Sequence, residues 1–114
     1  MPRFNVGLNQ REEDLLAVPI NFIASGDNII ITGAVGLILR VYRYFVVVGD
    51  VTQLTYKNGA KALTGPVPLT GNEAMVFTFD TKPWYLMDPG ANFVINSSNS
   101  VQVSGAAYYT QEQQ

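Results

Sequence analysis

The chain has 114 residues, enough for one compact domain, and 47% of them are hydrophobic while only 14% are charged. Seven basic and nine acidic residues give a formal net charge of −2, and the basic residues are dispersed, which disfavours nucleic acid as a partner. The chain has no cysteine and no histidine, which excludes disulfides, thiolate or imidazole metal sites and histidine-dependent triads. We therefore expect a non-enzymatic protein without cofactor or metal. Its low charge predicts that part of its surface is covered by a partner chain.

The first seventeen residues differ in composition from the rest. Positions 9–14 form an unbroken polar run that ends in four charged residues, and we interpret residues 1–17 as an N-terminal arm that orders against a neighbour. The alternative is one helical turn with Asn9 as its N-cap. The start of the chain lacks the apolar core of a signal peptide, and the most apolar stretch, 36–49, contains two arginines and is too short to span a bilayer as a helix. We therefore expect a soluble protein made in the cytoplasm, with no membrane partner.

From Val18 onwards, short runs rich in Val, Ile, Thr, Tyr and Phe alternate with Gly, Asn, Asp and Pro, which is typical of an all-β domain. Pro19 favours an edge position for the first strand because proline has no amide hydrogen to donate. Asn58 and Gly59 predict a two-residue type I′ hairpin. The predicted strands cover residues 18–24, 28–32, 37–48, 51–57, 60–63, 74–79, 92–96 and 101–109.

The last and the third predicted strands have different side-chain patterns. In 101–109, Val103 and Ala107 share one face, which is the alternation expected of a strand buried on one side. In 37–48 both faces are apolar, interrupted only by Arg40 on one and Arg43 on the other. A sandwich strand that is apolar on both sides needs a cover for its outer face, so we expect another subunit or a loop to lie there.

Eight short strands in a chain of this size predict an antiparallel β-sandwich, and the jelly roll is the best-fitting form. The domain is expected to cover residues 18–110, followed by a short polar C-terminal tail at 111–114. An immunoglobulin-like sandwich is the alternative, but the sequence lacks the Cys…Trp…Cys pattern.

Carboxylates are the main catalytic groups left by the absence of histidine. Asp50, Asp80 and Asp88 are candidates for a glycosidase pair, and Asp80 and Asp88 flank a loop that could hold a cation. Their positions in predicted turns favour a simpler interpretation, in which they are solvated or cap turns. We therefore predict no catalytic and no metal-binding role for them.

Two segments are candidates for contact with other molecules. The loop 80–90 contains the only tryptophan, Trp84, beside Tyr85, and this pair could anchor an interface, stack on a sugar ring or close the end of the core. In the third strand, tyrosine and arginine, both enriched at interfaces, alternate with each other, and the alternative is an ordinary strand whose arginines reach solvent. The predicted interface residues are Arg40, Tyr42, Arg43, Tyr44, Trp84 and Tyr85.

Most of the chain, but not residues 1–17, resembles a known family of proteins. The resemblance lies in the order of the turns and apolar runs. The segments concerned are SGDN and III (25–31), GLILRV (36–41), VTQLTYKNG (51–59), ALTGP (62–66), PWY (83–85), PGA (89–91) and VQVSG (101–105). In this order they resemble the small jelly-roll decoration, or cement, proteins of tailed-bacteriophage capsids.

The resemblance implies a structural virion protein on the capsid exterior, assembled in the host cytoplasm. It further implies that the protein bridges major capsid protein subunits and forms a homotrimer. The alternative function is a host-surface glycan-binding module of a phage tail or head fibre, which would use Trp84 and Tyr85.

Overall fold

The computed structural model describes residues 15–71, 74–77 and 85–113, and within these residues every regular element is a β-strand. The result confirms the all-β prediction. The strands are β1 (Leu16–Phe22), β2 (Gly26–Ile31), β3 (Leu37–Val48), β4 (Thr52–Asn58), β5 (Lys61–Ala62), β6 (Val67–Leu69), β7 (Ala74–Phe77), β8 (Tyr85–Leu86), β9 (Phe93–Ser97) and β10 (Val103–Gln113).

The strands form two antiparallel sheets that pack as a sandwich, as predicted. The first sheet has the order β1-β10-β3-β7, with β8 also paired to β3, and the second has the order β2-β9-β4-β5, with β6 also paired to β4. β1 lies at an edge of the first sheet, which confirms the edge position inferred from Pro19.

The core lies between the two sheets and follows the period of two along each strand. Val46 and Val103 contribute from the first sheet, and Leu54 and Ile95 from the second, all of them completely buried. In β10, Val103 and Ala107 belong to this core while Tyr109 packs against it, which confirms the face assigned to the last strand.

β3 corrects the prediction that its side chains alternate regularly between two faces along the whole strand. Tyr108 of β10 pairs with Arg43 and Tyr109 pairs with Val41, so β3 contains one extra residue, Tyr42, at a β-bulge. An extra residue shifts the alternation of side chains by one position. The core face is therefore Leu39 and Val41 before the bulge, and Tyr44, Val46 and Val48 after it.

Both predicted ends of the domain are corrected by strand pairing. β1 begins at Leu16, inside the segment interpreted as an arm, and the rest of that segment, residues 1–14, lies outside the described residues. β10 runs to Gln113, so most of the predicted polar tail is strand. Gln111–Gln113 pair with Leu39–Leu37 of β3. Backbone hydrogen bonds to a neighbouring strand hold these polar residues in place, and a hydrophobic pattern does not report such bonds.

Two short strands, β6 and β8, were not predicted, because three and two residues are too few for a visible alternation. The predicted hairpin forms one residue later than expected: Asn58 pairs with Lys61, so Gly59 and Ala60 are the central residues. Asn58 is buried, and its Oδ1 accepts a hydrogen bond of 3.1 Å from the backbone N–H of Asp88. This use of the Asn58 side chain places the residue in the strand rather than in the turn.

Candidate protein-interaction surface

The outer face of the first sheet presents small and apolar side chains to solvent. At its centre, Phe45 is 40% exposed and Val47 is 38% exposed, although both belong to the central strand of the sheet. Their neighbours on β10 and β1 are small or uncharged. The cross-strand rows are Pro19–Ala106–Phe45, Asn21–Ser104–Val47 and Ala17–Tyr108–Arg43. We call the surface formed by Ala17, Pro19, Phe45, Val47 and Ala106 the apolar face.

The outer face of the second sheet has a different character. There, Lys57 on β4 forms a 2.9 Å ion pair with Asp27 on β2, and Asn96 on β9 donates a 2.7 Å hydrogen bond to the same carboxylate. These hydrogen bonds hold the pKa of Asp27 below its ordinary value, with the Asn96 contribution first and Lys57 next. The outer face of the second sheet therefore carries a network of charged and amide groups, and Ile29 is exposed beside it.

One border of the apolar face is formed by the two arginines predicted at an interface. The Arg43 guanidinium lies 4.6 Å from the centre of the Tyr108 ring, across the β3–β10 pair. Arg40, beyond the bulge, places its Nε 3.5 Å from Oε1 of Glu112. Both arginines are half-buried. The structure places them at the rim of the apolar face, and Arg40 has its charge paired.

The three predicted interface tyrosines are buried instead. Tyr44 and Tyr85 are core residues with 2% and 8% exposure, and Tyr42 at the bulge is 2% exposed, outside the core cluster. This corrects their assignment to a surface. The bulge turns Tyr44 inward, and the pairing of Tyr85 with Val41 places Tyr85 beside it. Trp84 lies outside the described residues.

Tyr44 and Tyr85 belong to an aromatic cluster that bridges the sheets, with Tyr56 and Phe93 as its other members. Ring centres are separated by 4.9 Å for Tyr44–Tyr56 and by 5.8 Å for Tyr85–Phe93, both tilted pairs. The Tyr44 and Tyr85 hydroxyl oxygens lie 3.3 Å apart. Burial raises the pKa of each of the three tyrosines above its ordinary value, because an ionised phenolate would lose its hydration. The cluster is thus structural.

The described acids do not converge. Asp50 lies two positions after Val48, the last residue of β3. Asp88 lies beside the first residues of β3, since the neighbouring Met87 N–H donates to the Leu39 carbonyl. A twelve-residue strand separates the two acids by about 35–40 Å. Asp80 is outside the described residues. Among the residues that the structure describes, no group of three or more His, Cys, Asp or Glu side chains is placed to hold a metal ion.

A second exposed apolar site, which the sequence analysis missed, is the turn between β2 and β3. Val35 is 99% exposed, the largest value among the exposed large hydrophobic residues. The Leu37 N–H donates to the Ala34 carbonyl at 3.0 Å, and Gly36 has φ of 81°, which fits a type II turn with Val35 at its first central position. We call residues 34–37 the Val35 turn. The Gly33-Ala-Val-Gly36 segment was the available signal, because glycines on both sides of an apolar pair mark a turn.

The Val35 turn is fixed on the end of the sandwich by the loop between β8 and β9. The Gly33 N–H donates to Asn92 Oδ1 at 2.7 Å, and the Gly90 N–H donates to the Leu37 carbonyl at 2.9 Å. Two bonds from another loop therefore position the base of the turn, while Val35 itself extends into solvent.

Comparison of this chain with protein-family models, with curated proteins and with solved structures finds no match. Within the described part of the chain, no helix is long and apolar enough to cross a membrane.

Proposed function

We propose that this chain is a structural protein that works by docking on other protein chains, and that it is a decoration protein of a phage capsid. The observation that carries the docking proposal is the contrast between the two outer faces. Phe45 and Val47 lie together on the first sheet among uncharged neighbours, whereas the second sheet carries the Asp27, Lys57 and Asn96 network, with Ile29 exposed beside it. An apolar surface at the centre of a sheet is typical of a face that a partner covers.

The order of the strands supports the jelly-roll form of the proposal. The first and last strands are neighbours in one sheet, and the second and second-last strands are neighbours in the other. A jelly roll has this arrangement, because a long hairpin of paired strands folds over into two sheets. Small jelly-roll domains of the capsid-decoration type are the family that the turn and strand order of the sequence resembles.

In this proposal the partners are the major capsid protein and further copies of the chain in a homotrimer, on the outside of the virion. Each contact is modest, and many copies on one shell supply the stabilisation together. The alternative function is a glycan-binding module of a tail or head fibre, in which Tyr85 would stack on a sugar ring. The burial of Tyr85 removes this support for the alternative. That ring is 8% exposed and lies in the aromatic cluster, where a sugar does not reach it.

Two measurements test the proposal. Light scattering on a size-exclusion column gives the mass of the purified protein, and we expect an oligomer at micromolar concentration. Shells assembled from the major capsid protein of the same genome should bind the protein and withstand higher temperature with it than without it. A monomer that leaves the heat resistance of the shells unchanged would refute the proposal.

Matched substitutions separate the two outer faces. Phe45→Glu places a charge on the apolar face, and we expect it to weaken association. Ile29→Glu makes the same kind of change at a 59% exposed position on the outer face of the second sheet, and it should leave association unchanged. Equal effects of the two substitutions would mean that the apolar face has no special part in docking.

A further inference from the structure

The Asn58-Gly59 pair in the β4–β5 hairpin is chemically labile in an unconstrained chain. Once a base in the solvent has taken its proton, the Gly59 amide nitrogen can attack the carbonyl carbon of the Asn58 side chain, which the chain itself holds nearby. The new N–C bond closes a succinimide ring, and the side-chain nitrogen takes a proton from water and leaves as ammonia. Water then opens the ring at either carbonyl and leaves an aspartate or an isoaspartate at position 58.

The fold uses both members of this pair for structural reasons. Gly59 has φ of 61°, in the left-handed region that glycine adopts without strain. Asn58 is 8% exposed, and its side-chain oxygen accepts a hydrogen bond from the Asp88 N–H. The hairpin therefore keeps a reactive pair, and the contacts around the pair decide whether it reacts.

The β8–β9 loop binds both reacting groups. Asp88, in this loop, donates its N–H to Asn58 Oδ1 at 3.1 Å, and the backbone carbonyl of Asn92, at the end of the loop, accepts the Gly59 N–H at 2.8 Å. The first bond fixes the amide that would be attacked, and the second holds the proton that a base must remove. A hydrogen-bonded amide loses its proton to solvent only after the bond opens. The closed loop therefore blocks the first step of the reaction.

Strand pairing adds a second restraint on Asn58. The residue pairs with Phe93 of β9 on one side and with Lys61 of β5 on the other. Ring closure requires rotation about the bonds of Asn58, and a residue that is paired on both sides cannot rotate without breaking the ladder. The β8–β9 loop leads directly into β9, so release of the loop frees the Gly59 N–H and weakens the adjoining pairing together.

We propose that Asn58 is a deamidation site that the β8–β9 loop protects, and that it reacts when this loop opens locally. The site does not depend on the proposed function, because none of these groups belongs to the apolar face. Loss of ammonia makes the reaction irreversible, so modified copies accumulate with time. The product has either a charge at a buried position or an extra backbone carbon in β4, and both should weaken the hairpin.

The protection is tested by comparing folded and unfolded protein. Both are incubated at the same mildly alkaline pH, without and with guanidinium chloride, and peptides that cover position 58 are followed by mass spectrometry. We expect deamidation in the unfolded protein and a rate at least about tenfold lower in the folded protein. Asn58→Gln, which would have to close a larger ring, should remove the reaction in guanidinium chloride. Equal rates in the two conditions, or no reaction in the unfolded chain, would overturn the proposal.

Two glycine substitutions distinguish local opening from global unfolding. Gly90 lies in the loop with φ of 78°, so Gly90→Ala strains the closed loop. Gly26→Ala imposes the same kind of strain at φ of 89°, where the added Cβ meets nothing within 4 Å and the partner is Ser97, at the far end of β9. In folded protein, Gly90→Ala should speed deamidation about fivefold or more, and Gly26→Ala should change it less than about twofold. Equal acceleration, or none by Gly90→Ala, would refute local opening.

Hydrogen exchange tests the same opening in the unchanged protein, whether or not the variants fold. The Gly59 amide proton should exchange at least about tenfold faster than that of Ile95, which lies in the middle of β9 between β2 and β4. A Gly59 proton that exchanges as slowly as that of Ile95 would mean that the loop opens only when the whole domain unfolds, and local opening would be wrong.

Discussion

The hydroxyl oxygens of Tyr44 and Tyr85 lie 3.3 Å apart in the core, although the residues are 41 positions apart in the sequence. The pairing of β8 with β3 brings them together, and Tyr56 of the opposite sheet packs against both rings, with ring centres 4.9 and 6.1 Å away. The three rings therefore couple the two sheets, and their ionisation is coupled to folding.

Alkaline pH should unfold the protein through this cluster. Because burial raises the pKa of all three tyrosines, their contribution to stability is complete below the ordinary value of 10.0 and is lost as pH rises above it. The free energy of unfolding should fall by at most about 4 kcal/mol per pH unit there, about 1.4 for each group. Urea unfolding at several pH values measures this slope, and Tyr85→Phe should reduce it by about a third. Tyrosinate absorbance that rises without loss of the circular dichroism signal would contradict the prediction.

Gly105→Ala should disrupt the pairing of β10 with β3. A Cβ at Gly105 would overlap the Phe45 carbonyl oxygen and lie 3.0 Å from the Val46 Cα, and both are backbone atoms that cannot move independently of the sheet. We expect a loss of about 2–4 kcal/mol in urea unfolding. Gly65→Ala, where a Cβ meets nothing within 4 Å, is the control and should change stability by less than about 0.5 kcal/mol. Similar values for the two would show that the close approach is not maintained.

Ser97→Ala should destabilise the second sheet near its β9–β10 loop. The buried Ser97 and Thr52 hydroxyl oxygens lie 2.8 Å apart, and Ser97 also donates to the Asn99 carbonyl at 2.8 Å. Removing the Ser97 hydroxyl leaves buried polar groups less satisfied, at a cost of about 1–2 kcal/mol in thermal or urea unfolding. Ser100→Ala, at an exposed position of the same loop, should be near neutral.

Asn92→Ala should loosen the Val35 turn. The substitution removes the acceptor of the Gly33 N–H, a part-buried bond, and we expect a loss of about 1 kcal/mol in urea unfolding. Asn99→Ala is the matched control, because Asn99 donates a 3.0 Å bond to the Val51 carbonyl from an exposed position at the opposite end of the sandwich. The control should lose less stability, since water replaces an exposed bond. Equal losses would show that the Asn92 bond contributes no more than a solvent-exposed one.

Acid should weaken the outer face of the second sheet only slightly. The pKa of Asp27 is lowered by its hydrogen bonds with Asn96 and Lys57, so its contribution is present above the ordinary value of 3.8 and is lost as pH falls. The Asp27 side chain is 48% exposed, and such pairs contribute less than about 1 kcal/mol. Comparing Asp27→Asn with the unchanged protein in unfolding experiments above and below this pH measures the difference. A larger loss would indicate a pair that is shielded from water.

Local signals in the sequence were sufficient for much of the fold. The bounds predicted for β3 match the structure, because the composition and turn residues of that segment mark both of its ends. Pro19 identified an edge strand, because proline lacks the amide hydrogen that pairing on both sides requires. The same signals did not predict β6 or β8, and they ended the last strand too early, because those elements are defined by pairing with distant strands.

The candidate surface required the tertiary structure. The sequence alone determined that β3 has apolar residues on both faces, so that both faces cannot be fully exposed to water. It also determined that the chain carries little charge. Only the register between β3 and β10 places the bulge at Tyr42, which turns Tyr44 into the core and leaves Phe45 and Val47 outside. A one-residue shift exchanges the two faces of a strand, and it depends on a partner about sixty positions away, so the pattern within the strand itself does not reveal it.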